Sequence, residues 1–561
     1  MLTRRDFLQV TATTAALMSG NSLSLAAAKQ SISQKKLLEF DAVGQVTLLN
    51  FADCHAQLMP LYFREPTANF GVGAVHGLPP HLTGTQFLKY FNIRAGTPEA
   101  YAFSSNDYVA LSQEYGRIGG LAHMATLINA IRAERSGKTL LVDCGDTWQG
   151  SYSSLMTKGE DMVEVMNEMG VDLMTAHWEF TYGTERVKEL IGKLKFPFLA
   201  ANVIDNEWEE PVFNDVAYFE KGGVKIGIIG QAFPYTPIAN PRYLMPTWSF
   251  GIQEDKMWES IKKVKDGGAD LVVLASHNGF DVDRKLASRV DGIDVILQGH
   301  THDAVPIVTK VNNTLMIATG SHGKFLGRLD LEIKNKKVVK YNYKLMPIFS
   351  DVIKPDPKIS AVIKKVRAPY ERKVNEVLGK TDSLLYRRGN FNGTFDDLIC
   401  QAIIEERDTQ ISLSPGFRWG ATLLPGQDIR VEEVYSQTAI TYPKTYRLEM
   451  SGKLLKDILE DVGDNLFNPD PYFQQGGDMV RVGGMGYTFE IRQKIGKRVS
   501  NMTLLSTGEP IEADKNYVVG GWASVNPNTE GPPVYDLVSN YIKRKKVIKL
   551  PENRAVKIKG A

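Results

Sequence analysis

Between residues 45 and 333, short apolar runs alternate with segments of helical period. The runs at 46–49, 139–142, 173–175, 197–200, 225–229, 271–275, 295–297 and 315–318 have strand length and are dominated by aliphatic residues. Between them, 120–135, 161–169, 184–194 and 254–265 repeat apolar residues every three or four positions, as half-buried helices do. This alternation predicts an α/β layered fold. Two stretches break it. Residues 58–115 are rich in Gly, Pro, Asn and aromatics, with weak periodicity. An irregular stretch of that length is a lid, a docking loop or disordered. Its two histidines, His76 and His81, read as surface residues. After Ile348 the proline-containing segment 351–357 reads as a boundary, and 358–377 as a charged, polar-faced connector helix. Beyond it lies a second domain of mixed helix (395–406) and strand (485–491, 517–519).

A chain of 561 residues exceeds one ordinary core, so at least two domains are expected. The divisions are a leader over 1–28, a first domain over 29–355 with 58–115 as an insertion, a linker helix over 356–378, and a second domain over 379–561. The leader carries Thr3-Arg4-Arg5-Asp6-Phe7-Leu8, a twin-arginine pattern, then an apolar stretch to about Met18 that is too short for a membrane span. Ala26, Ala27 and Ala28 suit cleavage, with the mature chain starting near Lys29. A folded, periplasmic protein follows from that route. No other run is long enough to span a bilayer. The net charge of +2, with no basic stripe interleaved with aromatics, argues against nucleic-acid binding. Three cysteines make no disulfide framework. Cys54 and Cys144 neighbour candidate ligands, and the reading favoured over ligation or reaction with a sulfur substrate is that they are small buried thiols.

Five acid- and histidine-rich segments follow the apolar runs, and five of the nine histidines lie in them. They are Asp53-Cys54-His55, Gly145-Asp146, His177-Trp178-Glu179, Ser276-His277-Asn278-Gly279 and Gly299-His300-Thr301-His302-Asp303. Loops at strand ends converge on one sheet edge, which is where open α/β sheets place their sites. Asp53 and His55, like His300 and His302, are two apart, so strand alternation would turn both members of each pair to one side. Asp146 has two carboxylate oxygens and could bridge two cations. With His177 and His277, seven candidate ligands come together, a set suited to a two-metal hydrolytic site.

In that order the segments resemble the motifs of the calcineurin-like metallophosphoesterases. The two-domain layout is similar to that of the exported 5′-nucleotidases. The resemblance implies a four-layer α/β/β/α catalytic domain followed by a smaller α/β domain. One metal would take Asp53, His55, Asp146 and His302, and the other Asp146, His177, His277 and His300. The third motif departs from Gly-Asn-His-Glu-Phe-Asp. Here it reads Ala176-His177-Trp178-Glu179-Phe180-Thr181, so Trp178 replaces the leaving-group acid and Thr181 its orienting Asp. Tryptophan cannot donate a proton in catalysis. A leaving thiolate or persulfide needs no such proton, whereas an alkoxide does.

The second domain lacks the base-stacking pattern of nucleotidases at Gly520-Gly521-Trp522-Ala523-Ser524-Val525-Asn526, and Gly483-Gly484-Met485-Gly486-Tyr487 offers no evident partner ring. Arg418, in Ser414-Pro415-Gly416-Phe417-Arg418, resembles an anion-contacting position, as do Arg387 and Arg388. Asp53-Cys54-His55-Ala56-Gln57-Leu58 and the 177–183 segment resemble the thiosulfohydrolase branch, the SoxB family of the sulfur-oxidising Sox system. The resemblance implies hydrolysis of the terminal sulfonate from a cysteine S-thiosulfonate on a SoxYZ-like carrier protein. A hydroxide held by two Mn²⁺ (Zn²⁺ also suits the ligands) would attack sulfur, with Arg418 and His177 stabilising the oxygens and Trp178 walling the pocket. Tyr62, Phe63 and the insertion would form its rim. Two other readings stay open: a periplasmic 5′-nucleotidase or other phosphoesterase, and a non-catalytic metal-bound binding protein. Oligomeric state is not legible.

Overall fold

The computed structural model describes residues 32–391, 393–551 and 553–560. The twin-arginine segment and cleavage site at 1–28 lie outside the described residues. The first domain is built on two sheets. The strands are β1 (Val46–Phe51), β2 (Thr139–Asp143), β3 (Leu173–Met174), β4 (Val216–Lys221), β5 (Val224–Gln231), β6 (Leu271–Ser276), β7 (Val295–Gln298), β8 (Thr309–Val311), β9 (Thr314–Ala318), β10 (Phe325–Lys334) and β11 (Lys337–Pro347). One sheet runs β11-β10-β1-β2-β3 and the other β8-β9-β7-β6-β5-β4. The loops expected on one sheet edge therefore come from two sheets.

Alternation along each strand explains the stacking. On β1, Val46 and Leu48 enter a core shared with Leu271, Val273 and Ala275 of β6, which lies between the sheets. Leu49 and Phe51 face the other way, into a cluster with the helices α1 (Leu121–Glu134) and α2 (Glu160–Met169). On β6, Val272 and Leu274 likewise meet α3 (Glu254–Asp266) and α4 (Phe280–Arg289). Helix, sheet, sheet, helix is the four-layer order. Both faces of the central strands are buried, so their sequences read as continuous apolar runs.

Three expectations change. Residues 197–200 make only isolated bridges, Met174 to Phe198 and Leu199 to Asn214, because the neighbouring strand is two residues long. The insertion is ordered. It forms helices Gly84–Tyr90, Pro98–Phe103 and Tyr108–Tyr115, whose Phe87, Tyr101, Phe103 and Tyr108 share a core with Phe325 and Phe349. Helices of six to eight residues are too short to give a periodic signal. The connector is two helices, α5 (Pro357–Arg367) and a turn at Glu371–Val374. It is not polar all round, since Ile359 and Ile363 are buried in the α1–α2 cluster.

The second domain contains α6 (Thr394–Arg407), as its apolar spacing predicts. Its largest sheet orders Thr445–Ser451, Asn516–Trp522, Ile411–Ser414 and Arg481–Gly483 side by side. Trp178 of the first domain lies in this domain's core cluster with Trp419 and Trp522, which ties the two halves together. Among the described residues, no helix is long and apolar enough to cross a membrane.

Candidate metal centre

All seven candidate ligands are buried and meet where β1, β2, β3, β6 and β7 end. Two four-residue groups form, Asp146-His177-His277-His300 and Asp53-His55-Asp146-His302, each with its ligand atoms within 4.8 Å of one another. Asp146 belongs to both. Its Oδ2 lies 3.1 Å from His177 Nδ1, 3.1 Å from His277 Nε2 and 3.7 Å from His55 Nε2. His55 Nε2 and His302 Nε2 approach to 3.0 Å. Two imidazole nitrogens facing each other across that gap suit a shared cation. The Nε2 atoms of His177 and His300 are buried without a hydrogen-bond partner. Five imidazoles and two carboxylates form a mixed nitrogen and oxygen donor set that fits two divalent transition-metal ions.

The paired ligands converge by a route other than strand alternation. Asp53, His55, Asp146, His300 and His302 all adopt left-handed backbone conformations, with φ between +45° and +78°. Such strain in non-glycine residues is stored at sites whose surroundings enforce it. At Asp146 the enforcement comes from Glu179. Its buried carboxylate accepts the backbone N–H groups of Thr147 (2.6 Å), His177 (2.8 Å), Trp148 (3.1 Å) and Asp146 (3.3 Å). Trp178 N–H donates to Asp146 Oδ1 at 2.7 Å, and His300 N–H to Asp53 Oδ1 at 2.9 Å. His277 Nδ1 is 2.6 Å from the Cys144 carbonyl, and His55 Nδ1 is 3.3 Å from Gln149 Oε1. Such outer partners fix ring orientation and tautomer. At Gly299 a Cβ would lie 2.7 Å from His277 Nδ1, so only glycine leaves that ring its place.

The protein's own electrostatics divide the ligands: burial raises the Asp53 carboxyl well above its ordinary range, and at His277 burial is outweighed by Asp146 and Asp53, which raise the ring to about 9. Burial pushes the Asp146 carboxyl up, but His177, His277 and His55 outweigh it and hold it well below the ordinary range. Burial lowers His177 to about 4, and drives His300 and His302 well down, so these rings are neutral ligands. The Cys54 and Cys144 thiols are pushed up by burial and by nearby Asp143, and neither joins a ligand group. They are free, buried thiols beneath the site.

A cleft of about 740 Å³ opens over both groups, lined by His55, Asp146, His177, Trp178, Phe417, Arg418 and Trp419 among others. Trp178 meets Trp419 edge-on at 5.0 Å, and Phe417 stacks on Trp419 at 4.1 Å. Thr181 Oγ1 is hydrogen-bonded to Thr441 Oγ1 at 2.7 Å. Arg418 lines this cleft. Arg387 lines neither it nor the adjoining cavity: it is fully buried, and Asp396 takes its Nη2 at 3.0 Å. Arg388 lines the adjoining cavity of about 650 Å³, which shares His300 and Arg418 with the cleft. The insertion residues Asn69 and Phe70 border that cavity. Tyr62 borders a different, polar cleft, and Phe63 is buried, stacked on His322 at 4.2 Å, so neither lines the metal cleft. His76 is exposed, whereas His81 is mostly buried against Asp281, at 2.7 Å.

The sequence reading passes over His322, which is fully buried 5.6 Å from the His55 ring and accepts Gly420 N–H at 3.0 Å. It follows β9 in Ser321-His322-Gly323, the same kind of segment that exposes the other ligands. Its place is beneath the ligands, joining them to the second domain.

Comparisons with known proteins agree with this geometry. Residues 377–533 match the family described as 5′-nucleotidase, C-terminal domain. The 5′-nucleotidase of Rattus norvegicus is 26% identical over 493 residues, which is 77% of this chain and 84% of that protein. The structure of a 5′-nucleotidase precursor from Thermus thermophilus superposes with a TM-score of 0.73 at 20% identity, over 92% of this chain and 100% of that one. Fold and site thus define a hydrolase of the 5′-nucleotidase and metallophosphoesterase class. The sulfate thiohydrolase SoxB of Thermus thermophilus, solved in complex with glycerol, superposes with a TM-score of 0.90 at 34% identity, covering 93% of this chain and 98% of that one. Within its class, the chain belongs to the SoxB family.

Proposed function

We propose that this protein hydrolyses the terminal sulfonate of a cysteine S-thiosulfonate carried on a SoxYZ-like partner, releasing sulfate, in the periplasm after twin-arginine export. The observation that carries the reading is the aromatic wall over an intact ligand set. Trp178 stands where a phosphoesterase of this class needs its acid, and Thr181 is committed to Thr441. Sulfur is a weakly basic leaving group, so the missing proton donor costs little.

Two bound Mn²⁺ ions would supply Lewis acidity and an activated water. Asp53, His55, Asp146 and His302 would hold one, and Asp146, His177, His277 and His300 the other. Arg418, which lines the cleft and whose Nη1 and Nη2 donate to the His300 and Gly477 carbonyls, would exchange one of these contacts for a sulfonate oxygen, with His177 beside it. Trp178, Phe417 and Trp419 would keep bulk water from the leaving sulfur. Packing also disfavours a nucleotide. Phe417 and Trp419 stack on each other, Trp522 is buried with its Nε1 on Ser414 Oγ at 2.9 Å, and Tyr487 is buried, so these rings form no open clamp for a base.

The test is sulfate release by the purified, Mn²⁺-loaded mature protein from a carrier bearing a cysteine S-thiosulfonate, with a 5′-nucleotide in parallel. Sulfate without phosphate is expected. Phosphate without sulfate would restore the nucleotidase. Neither product, with both ions bound, would favour a binding protein. Asp146→Asn separates the last case, since it should abolish sulfate release while leaving carrier binding in place.

A further inference from the structure

Three consecutive carbonyls of the ligand segment are gripped by arginines from the second domain. Arg418 Nη1 donates to His300 O at 3.3 Å. Arg388 Nη2 donates to Thr301 O at 2.7 Å, and its Nη1 to His302 O at 3.3 Å. Arg388 Nη2 also meets Asp303 Oδ1 at 3.1 Å. Both terminal nitrogens of the Arg388 fork are thus committed, and the side chain is 5% exposed. The resemblance to nucleotidases reads this arginine as an anion contact. Here its partners are the backbone and first neighbour of a metal ligand.

The surroundings lock Arg388 in turn. Glu65 Oε2 lies 3.7 Å from Nη1, and its other oxygen holds the buried Lys324 ammonium at 2.6 Å. Asn69 of the insertion shares Asp303 Oδ1 at 3.0 Å. Two residues on, Asn390 Oδ1 accepts Phe70 N–H at 2.6 Å, and its amide nitrogen donates to Asp478 Oδ1 at 3.2 Å. The ligand segment needs this support because His300 and His302 are both left-handed, at φ +78° and +60°. A planar guanidinium holds two neighbouring carbonyls in one fixed geometry, whereas an ammonium's rotatable donors do not fix their relative positions.

We infer that Arg388 is a positioning residue for the metal centre: from the second domain it fixes His302, and so sets the affinity of the Asp53-His55-Asp146-His302 group for its ion. The inference rests on the two-ion reading of the cluster and not on the sulfur substrate. Glu179 braces Asp146, which both groups share, and the other group's His300 is held by Arg418, so the loss of Arg388 falls first on the His302 group.

Calorimetric titration of the metal-stripped full chain with Mn²⁺ tests it, on wild type, Arg388→Gln, Arg388→Lys and the reference variant His55→Gln. Wild type should bind two ions. Arg388→Gln should lose about 10- to 100-fold in affinity for one of them, the same one that His55→Gln loses, and keep the other. Arg388→Lys should fall between, and carries the comparison if Arg388→Gln fails to fold. Wild-type affinity for both ions in Arg388→Gln, or in Arg388→Lys in its place, would overturn the inference, with a raised KM then marking a substrate contact. Equal weakening of both ions would overturn it as well. A wild type that binds fewer than two ions would bring down the two-ion reading itself, and the inference with it.

Discussion

Asp397 stands in the first turn of α6, mostly buried, with Oδ1 accepting from Asn553 Nδ2 at 2.6 Å and Oδ2 buried without a partner. Burial raises its carboxyl from 3.8 to about 6, against the opposing pull of Asn553. The folded chain therefore holds this proton more tightly than the unfolded chain, and wild-type stability falls as pH rises through that window. Asp397→Asn keeps the acceptor for Asn553 and removes the ionisation. Its stability relative to wild type should rise between pH 4 and pH 6 by up to about 3 kcal/mol, then level off. Urea unfolding of both proteins across pH 4–7 checks this, and a constant difference would refute it. Single residues were unevenly legible. The seven candidate ligands stood out because acid and histidine, and not ordinary turn residues, recur after five separate apolar runs. The arginines did not resolve, since a guanidinium that grips a carbonyl and one that awaits an anion look alike until the partners at Arg387 and Arg388 are seen.

At the scale of elements, the insertion is fastened to the first domain through a buried ion pair. Lys324, 1% exposed, precedes β10 and meets Glu65 at 2.6 Å, while its ammonium also donates to Phe63 O at 3.3 Å. Burial drives the Lys324 ammonium down and Glu65 opposes that. Removing one partner of such a pair strands a charge, at a cost of about 3–5 kcal/mol, whereas replacing both by apolar groups can be neutral. Glu65→Ala should destabilise by that order, and Glu65→Leu with Lys324→Met should recover most of it. Denaturant unfolding measures both, and a loss below about 1 kcal/mol in the single variant would show the pair to be dispensable. The elements themselves were legible where both faces of a strand are apolar, as in β1, β6 and β9. The long hairpin of β10 and β11 was missed. β11 is an edge strand whose outer half, Lys337 to Tyr341, is mostly exposed and places Val338 and Val339 side by side, so no two-residue period marks it. The two-sheet arrangement was equally hidden from strand alternation, because a run buried on both faces does not say which sheet it joins.

Across the whole molecule, the metal centre and the domain interface are one structure. Trp178 follows the ligand His177 and lies in the second domain's core, while Gly420 reaches His322 and Gln149 reaches the Ala439 carbonyl. Ions that bind only the folded ligand set stabilise it by mass action, by about 2.7 kcal/mol per site at a hundredfold excess over Kd. If the first domain alone carried that gain, calorimetry would show one transition moving with Mn²⁺ and another standing still. The shared contacts require more: Trp178 cannot leave the second core without disturbing Trp419 and Trp522, and the ligand loops cannot loosen without freeing Trp178. Added Mn²⁺ should therefore raise the midpoints of both domains together, and a chelator should lower both. A chelator that shifts only one transition would mean that the interface transmits nothing, and that the second domain's arginines and tryptophans merely rest against a centre the first domain builds by itself.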